Sequence, residues 1–150
     1  MIREYKPEDL NSVMTIWLQG NLQAHDFIDS EFFKQNYDLV KMLIPMSTLY
    51  VQDLDGIKGF IGLTENYISG LFVDQNHRHQ GIGNALVNKA KQHHNELLVH
   101  VYKKNTIAID FYLSQNFDIV SESINEETNE HELLMRCIVE HNVKIGKCAL

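Results

Sequence analysis

The stretch Arg78-His79-Gln80-Gly81-Ile82-Gly83-Asn84 joins an apolar strand ending in Val73-Asp74 to an amphipathic helix. Glycines at i and i+2 let a backbone approach a ligand with no Cβ in the way. The first turn of a helix carries N–H groups without intrahelical partners, and with them a positive partial charge. Together these make an anion cradle suited to a diphosphate, with Arg78 adding attraction from further away. No GxxxxGK[ST] is present, and Leu86 stands where a dinucleotide fingerprint needs its third glycine. Taken alone, the glycines read equally as a tight turn before a helix.

A second pair lies further on, in Asn105-Thr106-Ile107-Ala108-Ile109-Asp110-Phe111-Tyr112. Asn105 and Tyr112 are two helical turns apart and share a face. Asn105 is well suited to cap that helix. A phenol, with a reference pKa near ~10, stays protonated at neutral pH and can hand a proton to a departing group. Tyr112 beside Phe111 also fits a core aromatic at helical spacing.

These residues need a scaffold. Ile2 to Tyr5 reads as a strand, and Pro7-Glu8-Asp9 opens a helix whose apolar stripe is Leu10, Val13, Met14 and Trp17. A second helix starts at Ser30, with Phe33, Tyr37, Val40 and Ile44 on one side, and stops at Pro45. Thr48 to Gln52 and Lys58 to Leu63 read as a hairpin around Asp53-Leu54-Asp55-Gly56, and Tyr67 to Val73 follows as a third strand. Gly81 to His94 is helical, Glu96 to Val101 a strand, and Asn105 to Ser114 a helix. Phe117 to Ser123 and Glu132 to Val139 are the last two strands. Hairpins combined with one strand-helix-strand crossover predict an α+β, mixed-sheet domain. Periodicity leaves the strand order open.

With the elements in place, both motifs resemble those of the GNAT N-acetyltransferases, particularly the small bacterial single-domain members. That superfamily carries Arg/Gln-x-x-Gly-x-Gly/Ala between its fourth strand and third helix, and Asn-x-x-Ala-x-x-x-Tyr on the helix after its fifth strand. The resemblance covers residues 1–139 and implies a GNAT-like fold, a mostly antiparallel twisted sheet of about seven strands flanked by about four helices. It implies that backbone groups of Phe72 and Val73 pair with the pantetheine arm of acetyl-CoA. Arg78 and the N–H groups of His79, Gln80, Gly81, Ile82, Gly83 and Asn84 would hold the pyrophosphate, and Asn105 would bond the cofactor arm. Tyr112 becomes the acid that protonates the departing thiolate. Two positions depart from the pattern: Gln75 stands where many members have proline, and Asn116-Phe117 replaces Gly-Phe. Asparagine tolerates a left-handed backbone, so the second turn is expected to survive.

An alkyl amine is protonated at neutral pH, so a base must act before it attacks. His100 lies near the end of the fifth strand, where several members place a catalytic carboxylate, and histidine is a residue type suited to the task. A structural strand histidine fits that position as well. Glu65 and Tyr67, at the start of the fourth strand, are rival candidates, as is water. His25-Asp26-Phe27 joins the first two helices, a region that covers the acceptor site in the family, so His25, Asp26 and Glu65 are the candidate substrate contacts. Asp26 also suits a turn cap.

The chain has 150 residues, 44% hydrophobic and 22% charged, enough for one domain with its own core. Its formal charge is -7, with 20 acidic against 13 basic side chains, which argues against a nucleic-acid partner and is compatible with a cationic acceptor. The charged start Met1-Ile2-Arg3-Glu4 lacks the apolar run of a signal peptide, and no run suits a membrane helix. Cys137 and Cys148 form no CxxC, and reduced thiols in a cytoplasmic protein are expected. No HExxH or Cys/His quartet stands in the sequence, so no metal is expected. The expected partners are a small-molecule or protein amine acceptor, with no nucleic acid and no membrane, and a homodimer is the assembly to test. Residues 140–150 are polar and read as a tail.

Overall fold

A computed structural model describes residues 1–141. Cys148 and the tail expected from residue 140 lie, past His141, outside the described residues. Seven strands form one sheet: β1 (Ile2–Glu4), β2 (Thr48–Asp53), β3 (Ile57–Thr64), β4 (Tyr67–Val73), β5 (Glu96–Tyr102), β6 (Asp118–Asn125) and β7 (Glu130–Ile138). Among the described residues, four α-helices accompany them: α1 (Leu10–Ala24), α2 (Ser30–Leu43), α3 (Ile82–Lys91) and α4 (Thr106–Ser114). The strand order is β1-β2-β3-β4-β5-β7-β6, antiparallel throughout except where β4 meets β5.

The local chemistry accounts for most boundaries. Asp29 caps α2, its carboxylate accepting from the Glu31 N–H at 3.0 Å, and Pro45 sits in the short 3-10 turn that ends it. Asn105 caps α4 by accepting from the Ala108 N–H at 3.2 Å. Asn116 adopts φ +70°, the left-handed turn expected of it, and sends Phe117 into the core at 1% exposure. Helix α3 ends at Lys91, earlier than the expected His94, because the chain must turn to enter β5. There the His93 ring stacks on Tyr50, 6.0 Å away.

Two cores lie on opposite faces of the sheet. On one, Ile82, Leu86, Val87 and Ala90 of α3 and Tyr112 of α4 pack on Ile61, Leu97, Val99 and Met135. On the other, Val13 and Ile16 of α1 pack on Leu49, Val51 and Phe60. An ion-paired clasp of Arg3 with Asp9 (2.8 Å) and Asp53 (3.1 Å) fixes the start of the chain to the α1 entry and to β2. Burial of each apolar face between sheet and helices supplies the main driving force for this layered arrangement.

The feature that makes a site is the seam between β4 and β5. Only Tyr67↔Leu98 and Ile68↔Val99 are in register, and beyond them the two strands part. The β3–β4 register also shifts between Gly62 and Leu63, leaving Ser69 as an extra residue on β4. From Ser69 onward β4 therefore has one paired edge, against β3, and one open edge. The Asp74 N–H donates to the Lys58 carbonyl on β3 at 2.8 Å. By strand alternation Phe72 also turns its backbone groups to β3, while those of Leu71 and Val73 face the wedge.

Candidate active site

Two cavities open on the wedge and meet within it. The first, about 450 Å³, is lined by the loop after β4 together with α3 and α4. The second, about 390 Å³, lies under α1 and α2. Leu71, Phe72, Asn105, Ala108 and Tyr112 line both, so these residues stand at the junction.

The loop cavity is built from backbone. Gly81 has φ +80°, a conformation costly for residues with a side chain, and no atom lies within 4 Å of where its Cβ would be. Among the described residues, no backbone N–H from Arg78 to Asn84 donates to a backbone acceptor; the first to do so is that of Ala85, to the Gly81 carbonyl at 3.0 Å. A row of unpartnered donors at the start of a ten-residue helix, open to solvent, is the geometry a pyrophosphate requires. Arg78, His79, Gly81, Ile82, Gly83 and Asn84 line this cavity, whereas Gln80 does not. Arg78 donates to the Gln23 side chain on α1 at 3.2 Å. Without proline at position 75, the turn before the loop is held by Asp74, which bonds the His77 ring at 2.7 Å.

At the junction, Tyr112 is 6% exposed, and burial pushes its phenol well above the ordinary tyrosine range. It stays protonated at any physiological pH, as a proton donor must. Gly20 in α1 belongs to the same place: a Cβ there would stand 2.5 Å from the Phe72 ring. A glycine inside a helix costs stability relative to alanine. Its reason here is the close approach of α1 to β4, and that cost was the one sequence signal for it.

The α1–α2 cavity is built from side chains. Tyr67, His100, Tyr102 and Glu132 all face it, and the Tyr67 hydroxyl bonds the His100 ring at 2.8 Å. Burial, reinforced by the charge of Glu132, pushes the phenols of Tyr67 and Tyr102 upward. Trp17 and Phe33 supply apolar walls. Glu132 was not singled out from the sequence: it stands opposite Tyr102 only because β7 inserts between β5 and β6. No sequence pattern announces that pairing.

Of the candidate acceptor residues, His25 lines this cavity, whereas Asp26 is exposed outside it. Glu65 sits in the exposed β3–β4 turn at φ +54°, lining neither cavity. Both His25 ring nitrogens are engaged, Nδ1 with Asn21 (2.9 Å) and Nε2 with Asn105 (3.1 Å). Burial lowers its pKa to about 4. Among the described residues, no group of three or more His, Cys, Asp or Glu side chains is placed to hold a metal. No described helix is long and apolar enough to cross a membrane.

The chain is similar in sequence and in fold to known proteins. The acetyltransferase (GNAT) domain family matches residues 45–119. The peptidyl-lysine N-acetyltransferase YiaC of Escherichia coli K12 is 32% identical over 131 residues, covering 85% of this chain and 90% of the relative. The peptidyl-lysine N-acetyltransferase YjaB of the same organism is 30% identical over 124 residues, covering 81% and 84%. The solution structure of apo YjaB superposes with a TM-score of 0.81 at 26% identity, covering 93% of this chain and 98% of that one. YncA of Salmonella typhimurium, solved with acetyl-CoA, shares the fold at a TM-score of 0.67 and 13% identity, covering 95% of each chain.

Proposed function

The chain belongs to the GNAT acetyltransferase family and is an acetyl-CoA-dependent N-acetyltransferase, and from that premise we propose that its acceptor is a lysine side chain of a protein or peptide. The observation that carries this reading is the α1–α2 cavity. It is walled by aromatic rings, holds the half-buried carboxylate of Glu132, and reaches Tyr112 at the junction. An alkylammonium on a flexible apolar stem fits that combination, its charge set against Glu132 and its methylenes against Trp17 and Phe33. The YiaC and YjaB names point to the same acceptor class.

Acetyl-CoA, held by the 78–84 loop and by the backbone of Leu71 and Val73, supplies a thioester carbonyl for direct attack by the amine in a ternary complex. The His100–Tyr67 pair takes the ammonium proton, which frees the nitrogen lone pair. An N–H of β4 on its open edge steadies the negative charge that develops on the carbonyl oxygen. Tyr112 gives its proton to the departing sulfur. The second proton shed by the acylated nitrogen then restores the Tyr112 phenol, so the cycle closes with one proton on His100 and one on the CoA sulfur. Cys137 is buried in the sheet core and lines neither cavity, so the scheme gives it no acetyl-enzyme role. The reading includes a cytoplasmic setting.

The test is a panel of amines assayed for thiol release with acetyl-CoA: lysine-containing peptides, polyamines, small drug-like amines and N-terminal α-amino peptides. Lysine peptides should give the highest kcat/KM, with mass spectrometry placing the acetyl group on Nε. Preference for a free polyamine or an α-amine would discard the lysine assignment.

A further inference from the structure

One polar chain crosses the wedge where the cavities meet, and its direction can be read link by link. Asn105 Oδ1 accepts from the Ala108 N–H at 3.2 Å, so the Asn105 amide nitrogen faces His25 Nε2 at 3.1 Å. That nitrogen of the ring must then be an unprotonated acceptor. The proton consequently sits on Nδ1, which donates to Asn21 Oδ1 at 2.9 Å. Asn21 in turn donates through Nδ2 to the Trp17 carbonyl at 2.9 Å. Every link is satisfied in one polarity, from the α1 backbone to the first turn of α4.

We propose that His25 is a positioning residue for the cofactor, not a contact for the amine. As the neutral Nδ1–H tautomer it fixes the Asn105 side chain, leaving the second amide hydrogen of Asn105 free at the junction of the two cavities. It also ties α1 to α4 across strands that no longer pair. The ring is held for this task. It stacks on Phe33 at 6.0 Å, meets Tyr102 edge-on at 4.9 Å and Phe27 at 5.8 Å. Burial in that aromatic envelope keeps it uncharged, and both its nitrogens are already occupied, so neither is available to an ammonium. A preset amide lowers the ordering cost of binding the arm, and that gain appears in cofactor affinity.

The assignment rests on the acetyl-CoA reading of the loop cavity, and three substitutions separate it from other roles. His25→Gln places an acceptor oxygen near the Nε2 position and keeps the bond to Asn105. His25→Asn reaches only as far as Nδ1 and loses that bond, and His25→Leu keeps bulk alone. Calorimetry with CoA should show His25→Asn and His25→Leu binding about fivefold more weakly, the size of one net hydrogen bond, with His25→Gln close to wild type. The KM of a lysine peptide should move less than about twofold, since no hydrogen bond to the amine is lost. Nitrogen-15 spectra of the wild-type ring at neutral pH should show Nδ1 protonated and Nε2 bare. An Nε2–H or doubly protonated ring overturns the proposal, as do equal affinities across the three variants or a rise confined to the peptide KM. Absence of CoA binding by the wild type would instead defeat the acetyl-CoA reading and leave the tautomer standing as a structural fact.

Discussion

The loop cavity takes its row of unpartnered donors from one continuous stretch, Arg78 to Asn84, and they are backbone N–H groups. The α1–α2 cavity takes its own from side chains on separate elements: Tyr67 of β4, His100 and Tyr102 of β5, and Glu132 of β7. A backbone cradle is indifferent to most side chains and demands only conformational freedom at a glycine. A side-chain cavity is sensitive to each residue and can be retuned without disturbing the fold. The donor half of the molecule is thereby held constant in chemistry while the acceptor half is free to specialise.

Substitutions can test that division. The largest effect is expected at the junction, which serves both halves. Tyr112→Phe should lower kcat by about 10²–10⁴-fold, the usual worth of a general acid, while CoA affinity by calorimetry stays near wild type. Turnover within a few-fold of wild type would remove Tyr112 as the proton donor. Next comes the cradle. Gly81→Val forces a β-branched residue into φ +80°, a cost of about 1–2 kcal/mol, so CoA binding should weaken roughly tenfold with little change in the peptide KM. A parallel loss in both constants would mean that the two cavities are not separable. The smallest effect belongs to the acceptor side. Glu132→Gln removes one partly solvated charge and should raise the peptide KM about three- to tenfold, leaving the acetyl-CoA KM unchanged. An unaltered peptide KM would place the ammonium elsewhere.

The same division explains what could be read from the chain. The loop cavity was legible because glycine spacing and a helix start are local facts, and Asn105 and Tyr112 lie on one short helix. Strand and helix ends followed from caps and turn residues to within a few positions, Asn105 and Asn116 among them. The acceptor cavity was not legible in this way. Glu132 reaches Tyr102 through a β5–β7 pairing that depends on strand order, and strand order leaves no periodic trace. Glu65 had the right chemistry and a plausible address, yet a tight turn at φ +54° carries it to the surface. His25 was legible as a residue near the acceptor side. Its ties to Asn21 and Asn105 became visible only once α1 and α4 were brought together.

The seam between β4 and β5 gives the sheet a mechanical character. Strand pairing joins β1–β4 to β5–β7–β6 at Tyr67↔Leu98 and Ile68↔Val99 alone, so within the sheet they are two plates sharing a short hinge line. Rotation about that line moves each residue of β4 in proportion to its distance along the strand. At about 3.3 Å per residue, a rotation of about 5° would shift Val73 by roughly 1.4 Å and leave Ile68 almost still. Residues at the pivot thus set the aperture at the far end. Core substitutions around Ile68 or Val99 would act on the 78–84 loop by leverage, while the Tyr67–His100 pair beside the pivot kept its geometry.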